Sequence, residues 1–389
     1  MQRVDLQILA FAFLAGCSLL HHDNKPKARE SVPRTKAIEE SVAVFKRALM
    51  GVEENYFDDT DPRFLTMWAI RGMIEKLNSH GELEWQKDTV QCEEGHDLEG
   101  FGIGIRFSRI RGITYITQVA PMSNAFAAGV MSGDIIFEID GEPTHLLSII
   151  EVARRLRCRT NEVTLTIIRG KRLVEKRLTK GPVKYRESFS VPLSQNIGYL
   201  YLPHLADDET ALESFGNYID LVAHRSNKLI LDLRSMKGGM LTSTRLFLSM
   251  FLPPNALIVT PISVREVEEA WRVPEWAKPT RMRIVVLLNL FTGSAGEIIA
   301  LALQSHGRAV LIGERTLGYG TIRRPLPLSD DAQLFLPVAL YYGPHGEMIE
   351  RMGVWPDISV INTNPIAHYY PGVRDDILDA AIRYLRNAH

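Results

Sequence analysis

The spacing of apolar side chains changes twice along the chain. In the first part it follows the helical repeat: the stretch AIEESVAVFKRALMGVEENYF places Val42, Phe45 and Leu49 on one face. The next stretch, DPRFLTMWAIRGMIEKLNSH, has Pro62 at the first position of a turn, where a helix tolerates proline. These patterns predict a helical N-terminal segment over residues 38–96.

After residue 96 the helical repeat is lost. Short β-branched runs alternate with glycine turns in FGIGIRFSRIRGITYITQVAPMSNAFAAGVMSGDIIFEIDGEPT. A helix-like stretch, LLSIIEVARRLR, and a strand-like stretch, EVTLTIIRG, follow them. Short strands around one or two helices predict a small β-rich domain over residues 97–181.

A third pattern begins near residue 197, where buried strands alternate with helices. A segment with little periodicity, between Pro253 and Pro279, is either a hairpin or a lid. The remaining alternation predicts an α/β core with parallel strands over residues 182–389. Its elements are read from IGYLYLPHL, ETALESFGNYIDLVAHR, KLILDLR, LTSTRLFLSMFL, RIVVLLNL, AGEIIALALQSH and AVLIGE.

Composition excludes some functions. The 389 residues carry a formal net charge of −1, from 45 Lys+Arg against 46 Asp+Glu, so no basic face for nucleic acid is expected. Cys92 and Cys158 lack metal-ligand spacing, and no other cluster indicates a metal or a cofactor. These two cysteines either pair in an oxidising compartment or stay as thiols.

The N-terminus is typical of an export signal. Residues 6–16 form an apolar stretch too short for a stable membrane anchor, and LAGC, ending at Cys17, resembles a bacterial lipobox. This predicts a lipoprotein signal over residues 1–17, lipid on Cys17, and a flexible tether over residues 18–37. The mature chain would then face the periplasm, held to the outer or inner membrane. The alternative is a buried amphipathic N-terminal segment.

Three stretches could form an active site. In LLNLFTGSAGE, Ser294 stands where a strand turns into a helix, so it either acts as a nucleophile or caps that helix. In ILDLRSMKGGM, a strand runs into Gly238 and Gly239, and the N–H group of one of these glycines together with that of Ala295 would form an oxyanion hole. The alternative for the glycines is an ordinary turn. The third stretch, GERTLGYGTIRR, is a glycine-flanked loop centred on Tyr319.

Together these motifs resemble the carboxyl-terminal processing, or tail-specific, serine peptidases. The resemblance runs from about residue 38 to the C-terminus, and it includes LILDLRSMKGG, TGSAGEIIALALQ and YYGPHGEMIERMGVWPDISV. It implies a multidomain α/β protein: a crotonase-like α/β peptidase core with an inserted β-rich PDZ domain and a helical N-terminal segment. It also implies Ser294 as the nucleophile.

The resemblance fails at the catalytic base. The family has a lysine in a Thr-Phe-Gly-Lys-Gly loop and a glutamine four residues later, where this chain has Tyr319 and Arg323. Burial lowers the pKa of a lysine and raises that of a tyrosine, so the change removes a neutral-pH base. Impaired or absent peptidase activity is therefore expected. The alternative is an active serine endopeptidase that uses Tyr319, Lys237 or His204 as its base.

The β-rich domain carries a separate expectation. The loop Phe101, Gly102, Ile103 and Gly104 would offer backbone N–H groups to the carboxylate of a peptide C-terminus, while the peptide adds to the sheet as a strand. Protein or peptide C-termini are thus the expected partners. The sequence leaves open whether the chain forms a homo-oligomer. The alternative is a purely structural β-domain.

Overall fold

A computed structural model describes residues 34–57, 60–77, 82–85, 100–110, 112–147, 149–157, 161–185, 187–194, 196–205, 211–236, 238–263, 267–330, 332–362 and 374–387. The chain divides into two compact units after Ile70. The first unit contains helix α1, Arg34–Asn55, and the start of α2, Pro62–Lys76. No helix within these ranges is long and apolar enough to span a membrane.

Two predicted boundaries at the N-terminus are wrong. Residues 34–37, expected in the tether, are already helical, because Arg, Lys and Ala are good helix formers and no glycine or proline interrupts them. The segment 38–96 is not wholly helical, since it also contains strand β1, Glu82–Trp85. The sequence of β1 alternates polar and apolar residues, as a strand requires.

The β-rich domain forms as predicted. Its main sheet has the order β3-β4-β5-β7-β8, so β3 and β8 are its edges in the part of the chain that the structure describes, and β6 pairs with β5. Strands β2 and β9 pair separately, which carries the domain one residue beyond the predicted limit at 181, to Pro182. The elements are β2 (Phe101–Gly102), β3 (Ile105–Ile110), β4 (Ile113–Val119), α3 (Asn124–Ala127), β5 (Ile135–Ile139), β6 (Glu142–Pro143), a 3-10 turn (Thr144–Leu146), α4 (Ile149–Arg157), β7 (Glu162–Arg169), β8 (Arg172–Thr179) and β9 (Gly181–Pro182).

The C-terminal core is built on a second sheet, with strand order β10-β11-β12-β15-β16-β19. Strands β11, β12, β15, β16 and β19 run parallel, and β10 joins β11 antiparallel. The predicted α/β core is therefore confirmed. Its elements are β10 (Phe189–Ser194), β11 (Asn196–Tyr201), α5 (Ala211–Ala223), β12 (Ser226–Asp232), α6 (Leu241–Leu248), β13 (Leu257–Ser263), β14 (Trp271–Arg272), β15 (Arg283–Leu288), α7 (Ala295–Ser305), β16 (Ala309–Gly313), β17 (Thr321–Ser329), β18 (Ala332–Tyr342), β19 (Ile358–Ser359) and α8 (Asp376–Asn387).

Both faces of this sheet are covered, because neighbouring residues of each strand point to opposite sides. On β12, Leu229 and Leu231 pack with α5, α6 and α7 on one face. Ile230 lies between them in sequence and packs with α8 on the other face. The sheet is thus buried on both sides, and the carboxyl ends of its strands lie at one edge.

A further sheet has the order β1-β18-β13-β14, and β17 pairs with β18. The segment between Pro253 and Pro279 forms an antiparallel pair, β13 with β14, so the hairpin interpretation is confirmed. Strand β17 has β18 as its partner within the described residues, and it contains Pro325 and Pro327.

Candidate active site

Ser294 occupies a strained turn at the start of α7. Its backbone angles are φ 52° and ψ −118°, in a region that non-glycine residues rarely adopt. The domain at 101–182 supplies a contrast: Ser123 caps α3 with φ −77° and ψ 165°, and its hydroxyl accepts the Phe126 N–H at 3.2 Å. Ser123 has the extended backbone of an ordinary capping serine. Ser294 is also the N-cap of its helix, in a capping box with Glu297, but its strained backbone is of the kind found where a strand turns sharply into a helix.

The residues around Ser294 hold that turn in place. The Gly293 N–H donates to the Met236 carbonyl at 2.8 Å. Asn289, at the end of β15, accepts the N–H of Ser235 at 2.8 Å and the N–H of Phe291 at 3.1 Å through its side-chain oxygen. The turn after β12 is thereby fixed against the turn after β15, as parallel neighbouring strands allow.

Gly238 and Gly239 lie in the first of these two turns. Gly239 has φ 148°, and a Cβ there would lie 2.6 Å from Leu205 Cβ, so only glycine fits. The N–H groups of Gly238, Gly239 and Ala295 have no hydrogen-bond acceptor among the described residues. Two free N–H groups beside a serine are the requirement for binding an oxyanion.

Glu297 connects the serine turn to the third predicted stretch. Its Oε2 accepts the N–H groups of Ser294 at 3.0 Å and Tyr319 at 2.7 Å. Its Oε1 accepts the Thr316 hydroxyl at 2.5 Å and the Gly318 N–H at 2.6 Å. Burial raises the pKa of Glu297, while these four donors act in the opposite direction. One buried carboxylate therefore fixes the loop 316–319 onto the start of α7.

Tyr319 consequently lies beside the serine turn. A Cβ on Gly293 would be 3.8 Å from Tyr319 Cβ, and the Leu317 N–H donates to the Thr292 carbonyl at 3.0 Å. The Tyr319 side chain is half-buried, and the Cζ of Arg323 lies over its ring, 5.5 Å from the centroid. Tyr319 and Arg323 are thus in contact with each other.

Of the two other candidate bases, the structure describes His204 but not Lys237. His204 is exposed, and its neighbour Leu205 donates its N–H to the Gly238 carbonyl at 3.4 Å, so His204 lies near the glycine turn. Lys237 lies outside the described residues, as do Cys17, Cys92 and Cys158. No group of acidic, histidine or cysteine side chains that could hold a metal occurs within the described ranges.

A buried charge network is centred on Arg234, shortly before the glycine turn in the chain. Arg234 is 1% exposed and pairs with Asp232 at 2.5 Å and with Asp375, just before α8, at 2.8 Å. The Tyr199 hydroxyl donates to Asp232 at 2.6 Å, and burial together with the Asp232 charge holds the pKa of Tyr199 well above its ordinary value. The network ties β11, β12 and α8 together.

Sequence reasoning missed Glu297 and this network. Glu297 stands three residues after Ser294, which is the Ser-x-x-Glu signature of a helix start, so a local signal existed. The pairing of Arg234 with Asp375 joins residues 141 positions apart and left no local signal.

The loop at 101–104, predicted to bind a peptide carboxylate, contains two glycines with positive φ. Gly102 and Gly104 have φ 141° and 90°, which favour glycine. The N–H groups of Ile103 and Gly104 have no acceptor in the described part of the chain. Strand β3 follows as an edge of its sheet, so a peptide can add beside it.

Comparison with known proteins gives two family matches. Residues 196–360 match the model of peptidase family S41, and residues 115–169 match a PDZ domain model. The first match covers the parallel sheet with Ser294, Glu297 and Tyr319. The second covers β4 to β7 of the β-rich domain.

Curated relatives and solved structures agree with these matches. A carboxyl-terminal-processing protease of Synechocystis sp. is 31% identical over 90% of this chain and 86% of its own. A carboxy-terminal-processing protease of Bartonella bacilliformis is 29% identical over 82% of this chain and 75% of its own. The structure of a photosystem II D1 C-terminal processing protease has a TM-score of 0.67 at 22% identity, and the match covers 89% of this chain and 97% of that one.

Proposed function

Because the chain belongs to the carboxyl-terminal-processing peptidases of family S41, we propose that it binds protein C-termini through its PDZ domain while its peptidase activity is impaired or absent. The observation that carries the second part is the residue at position 319. Its backbone is fixed by the carboxylate that also binds Ser294, and its side chain is a phenol in contact with a guanidinium.

Neither group performs the task of a lysine base at neutral pH. A buried lysine acts because burial favours its neutral amine, whereas burial of a phenol favours the protonated form that cannot accept a proton. The guanidinium of Arg323 is always protonated and only donates, so it accepts no proton itself. Its charge beside the ring favours the phenolate of Tyr319, which is the way in which Tyr319 would act as the base of the second candidate function below. General-base assistance contributes about 10²–10⁴ in rate, so Ser294 without it would turn over very slowly.

The test compares the full chain with its Ser294→Ala variant on an unfolded protein substrate near pH 7. We expect both to give the same negligible cleavage, and we expect little labelling of Ser294 by a serine-reactive probe. If the unmodified chain cleaves the substrate robustly and Ser294→Ala abolishes this cleavage, the proposal that peptidase activity is impaired or absent is wrong.

A second candidate function is an active serine endopeptidase. It is favoured by the strained backbone of Ser294 and by the N–H groups of Gly238, Gly239 and Ala295, which have no acceptor among the described residues. Tyr319, Lys237 and His204 are then the candidate bases. In that case the single variants Tyr319→Phe, Lys237→Ala and His204→Ala would identify the base as the one whose loss removes Ser294-dependent cleavage.

The PDZ part of the proposal is supported by the loop at 101–104 and by the open edge of β3. A lipid on Cys17 would hold this binding domain at the periplasmic side of a membrane, where exported C-termini are accessible. Whether the chain acts as a monomer or a homo-oligomer does not alter this binding mode.

A further inference from the structure

Two arginines lie next to the loop at 101–104, one on β3 and one at the end of α4. The Cζ of Arg106, on β3, lies 4.4 Å from the ring centroid of Tyr185. Burial raises the pKa of Tyr185, and the charges of Arg106 and Arg157 both oppose that rise. Arg157 ends α4, and a Cβ on Gly102 would be 3.5 Å from its Cγ. The cluster therefore adjoins the loop at 101–104.

These two arginines differ from the other arginines near α4. Arg154 and Arg155 pair with Glu151, and Arg155 also pairs with Glu142 at 2.6 Å. Arg109 donates to the carbonyls of Leu147 and Thr144. Arg106 and Arg157 form no ion pair with any described residue. The positive charge of Arg106 and Arg157 is thus uncompensated within the described part of the domain.

The position of Arg106 on β3 determines which part of a peptide it would meet. Ile105 points into the core of the domain, and Arg106, the next residue, points to the opposite face, because neighbouring side chains of a strand alternate. A peptide added beside β3 alternates in the same way. Its last side chain would face the apolar side, with Ile103 and Leu156, and its penultimate side chain would face Arg106.

We propose that Arg106 and Arg157 make this domain selective for protein C-termini with an acidic penultimate residue. Arg157 lies at the loop that receives the terminal carboxylate, and Arg106 lies on the face that receives the penultimate carboxylate. Guanidinium groups bind carboxylates through paired, charge-assisted hydrogen bonds, which lysine cannot reproduce. The proposal rests on the proposed PDZ function and names the peptide class that this function would serve.

The experiment measures binding of fluorescent ten-residue peptides to the full chain carrying Ser294→Ala, which prevents cleavage during titration. The peptides share one sequence ending in valine and differ only in the penultimate residue: Asp, Asn or Lys. We expect the Asp peptide to bind about five- to tenfold more tightly than the Asn peptide, as expected for a partly desolvated ion pair. The Lys peptide should bind most weakly.

Two variants test the assignment. Arg106→Gln should make the Asp and Asn peptides bind equally while the Asn peptide keeps its affinity, which also shows that the domain is folded. Arg106→Glu should reverse the order, so that Lys exceeds Asp. The matched control is Arg172→Gln, an exposed arginine on β8, the opposite edge of the same sheet, which should change nothing.

An amidated Asp peptide separates the two levels of the proposal. If no peptide with a free C-terminus binds, or if amidation has no effect, the proposed PDZ function itself is wrong. If free C-termini bind and amidation abolishes binding, but Asp and Asn peptides bind equally before and after Arg106→Gln, only the inferred selectivity is overturned.

Discussion

The backbone N–H groups of Ser294 and Tyr319 donate to the same oxygen atom, Oε2 of Glu297, at 3.0 and 2.7 Å. The position of residue 319 relative to the serine is therefore set by backbone contacts to a third residue, and the side chain at 319 plays no part in these two bonds. A different side chain at 319 should leave the loop where it is.

The first prediction follows from that independence. The double variant Tyr319→Lys with Arg323→Gln should gain Ser294-dependent cleavage of an unfolded protein, by up to about 10²–10⁴-fold over the unmodified chain. Burial would lower the pKa of the new lysine and provide a neutral amine. Restoration falls below the upper value if the lysine is not held within about 0.5 Å of its working geometry. The measurement is the initial cleavage rate near pH 7.

Two controls accompany this rescue. Tyr319→Met with Arg323→Gln opens the same space without an amine and should stay inactive. Ser294→Ala in the lysine background should abolish the gained activity. If the lysine variant folds but shows no activity, the side chain at position 319 is not the cause of the missing peptidase activity.

A second prediction concerns the stability contributed by Glu297. Glu297→Gln replaces one acceptor oxygen by an NH₂ group, which leaves two of the four donors without a partner. We expect the free energy of unfolding to fall by about 2–4 kcal/mol, the usual cost of buried groups left unpaired. Urea denaturation measures it. Glu213→Gln, an exposed residue in the first turn of α5, should change the free energy by less than about 0.5 kcal/mol.

The pH dependence of stability is a third prediction, and it also involves Glu297. Burial raises the pKa of this carboxyl in the folded state above the value of 4.5 that applies to the unfolded chain. The folded state then holds more protons in the interval between the two pKa values, so its contribution to stability is full below pH 4.5 and is lost as pH rises through the folded pKa. The free energy of unfolding, measured with urea from pH 4.5 upward, should show this decline in the unmodified chain. The Glu297→Gln variant should lack the part of the decline that Glu297 contributes. A steeper decline in the variant than in the unmodified chain would contradict the prediction.

A fourth prediction uses two neighbouring aspartates. Asp375→Asn removes one of the carboxylates that compensate the buried Arg234, and we expect a loss of about 3–5 kcal/mol in the free energy of unfolding. Asp376→Asn removes a pair with the exposed Arg374 and should cost no more than about 1 kcal/mol. If chemical denaturation shows that both variants lose the same free energy of unfolding, the burial of Arg234 does not determine the effect of Asp375→Asn.

The fifth prediction concerns location. Cys17→Ala should release the protein from the membrane fraction of a bacterial host or leave an uncleaved precursor, because the cysteine would be both the lipid attachment point and the new N-terminus. Fractionation and mass measurement of the N-terminus test this. An unchanged membrane fraction and an unprocessed N-terminus in both forms would overturn the lipoprotein interpretation.

The sequence predicted the elements whose periodicity is strong. The parallel strands of the core read as continuous apolar runs because both of their faces are buried, as Leu229, Ile230 and Leu231 illustrate. The serine turn was predicted as well, since Ser294 lies between a buried strand and an apolar helix. Strand β1 was missed because four residues carry too short a pattern to compete with the helical segment that precedes them.

The contacts that hold the site together were less accessible. The four donors to Glu297 come from two segments about twenty residues apart, and the sequence showed only that Glu297 follows Ser294 by three positions. The strained φ of Ser294 is a property of the assembled turns, since Met236 and Asn289 hold it from outside the helix. Long-range pairs of this kind have no periodicity that a single sequence can reveal.

The prolines of β17 have a consequence for how the protein behaves at high local concentration. Proline cannot donate to a ladder, so Pro325 and Pro327 must take positions whose N–H would face away from β18, toward the side on which β17 has no partner strand among the described residues. That edge therefore lacks two donors in succession, while Leu326 and Leu328 on the same strand are exposed. A second chain that approached this edge would find no continuous set of backbone partners. The strand can thus stay exposed and partly apolar without serving as a template for aggregation.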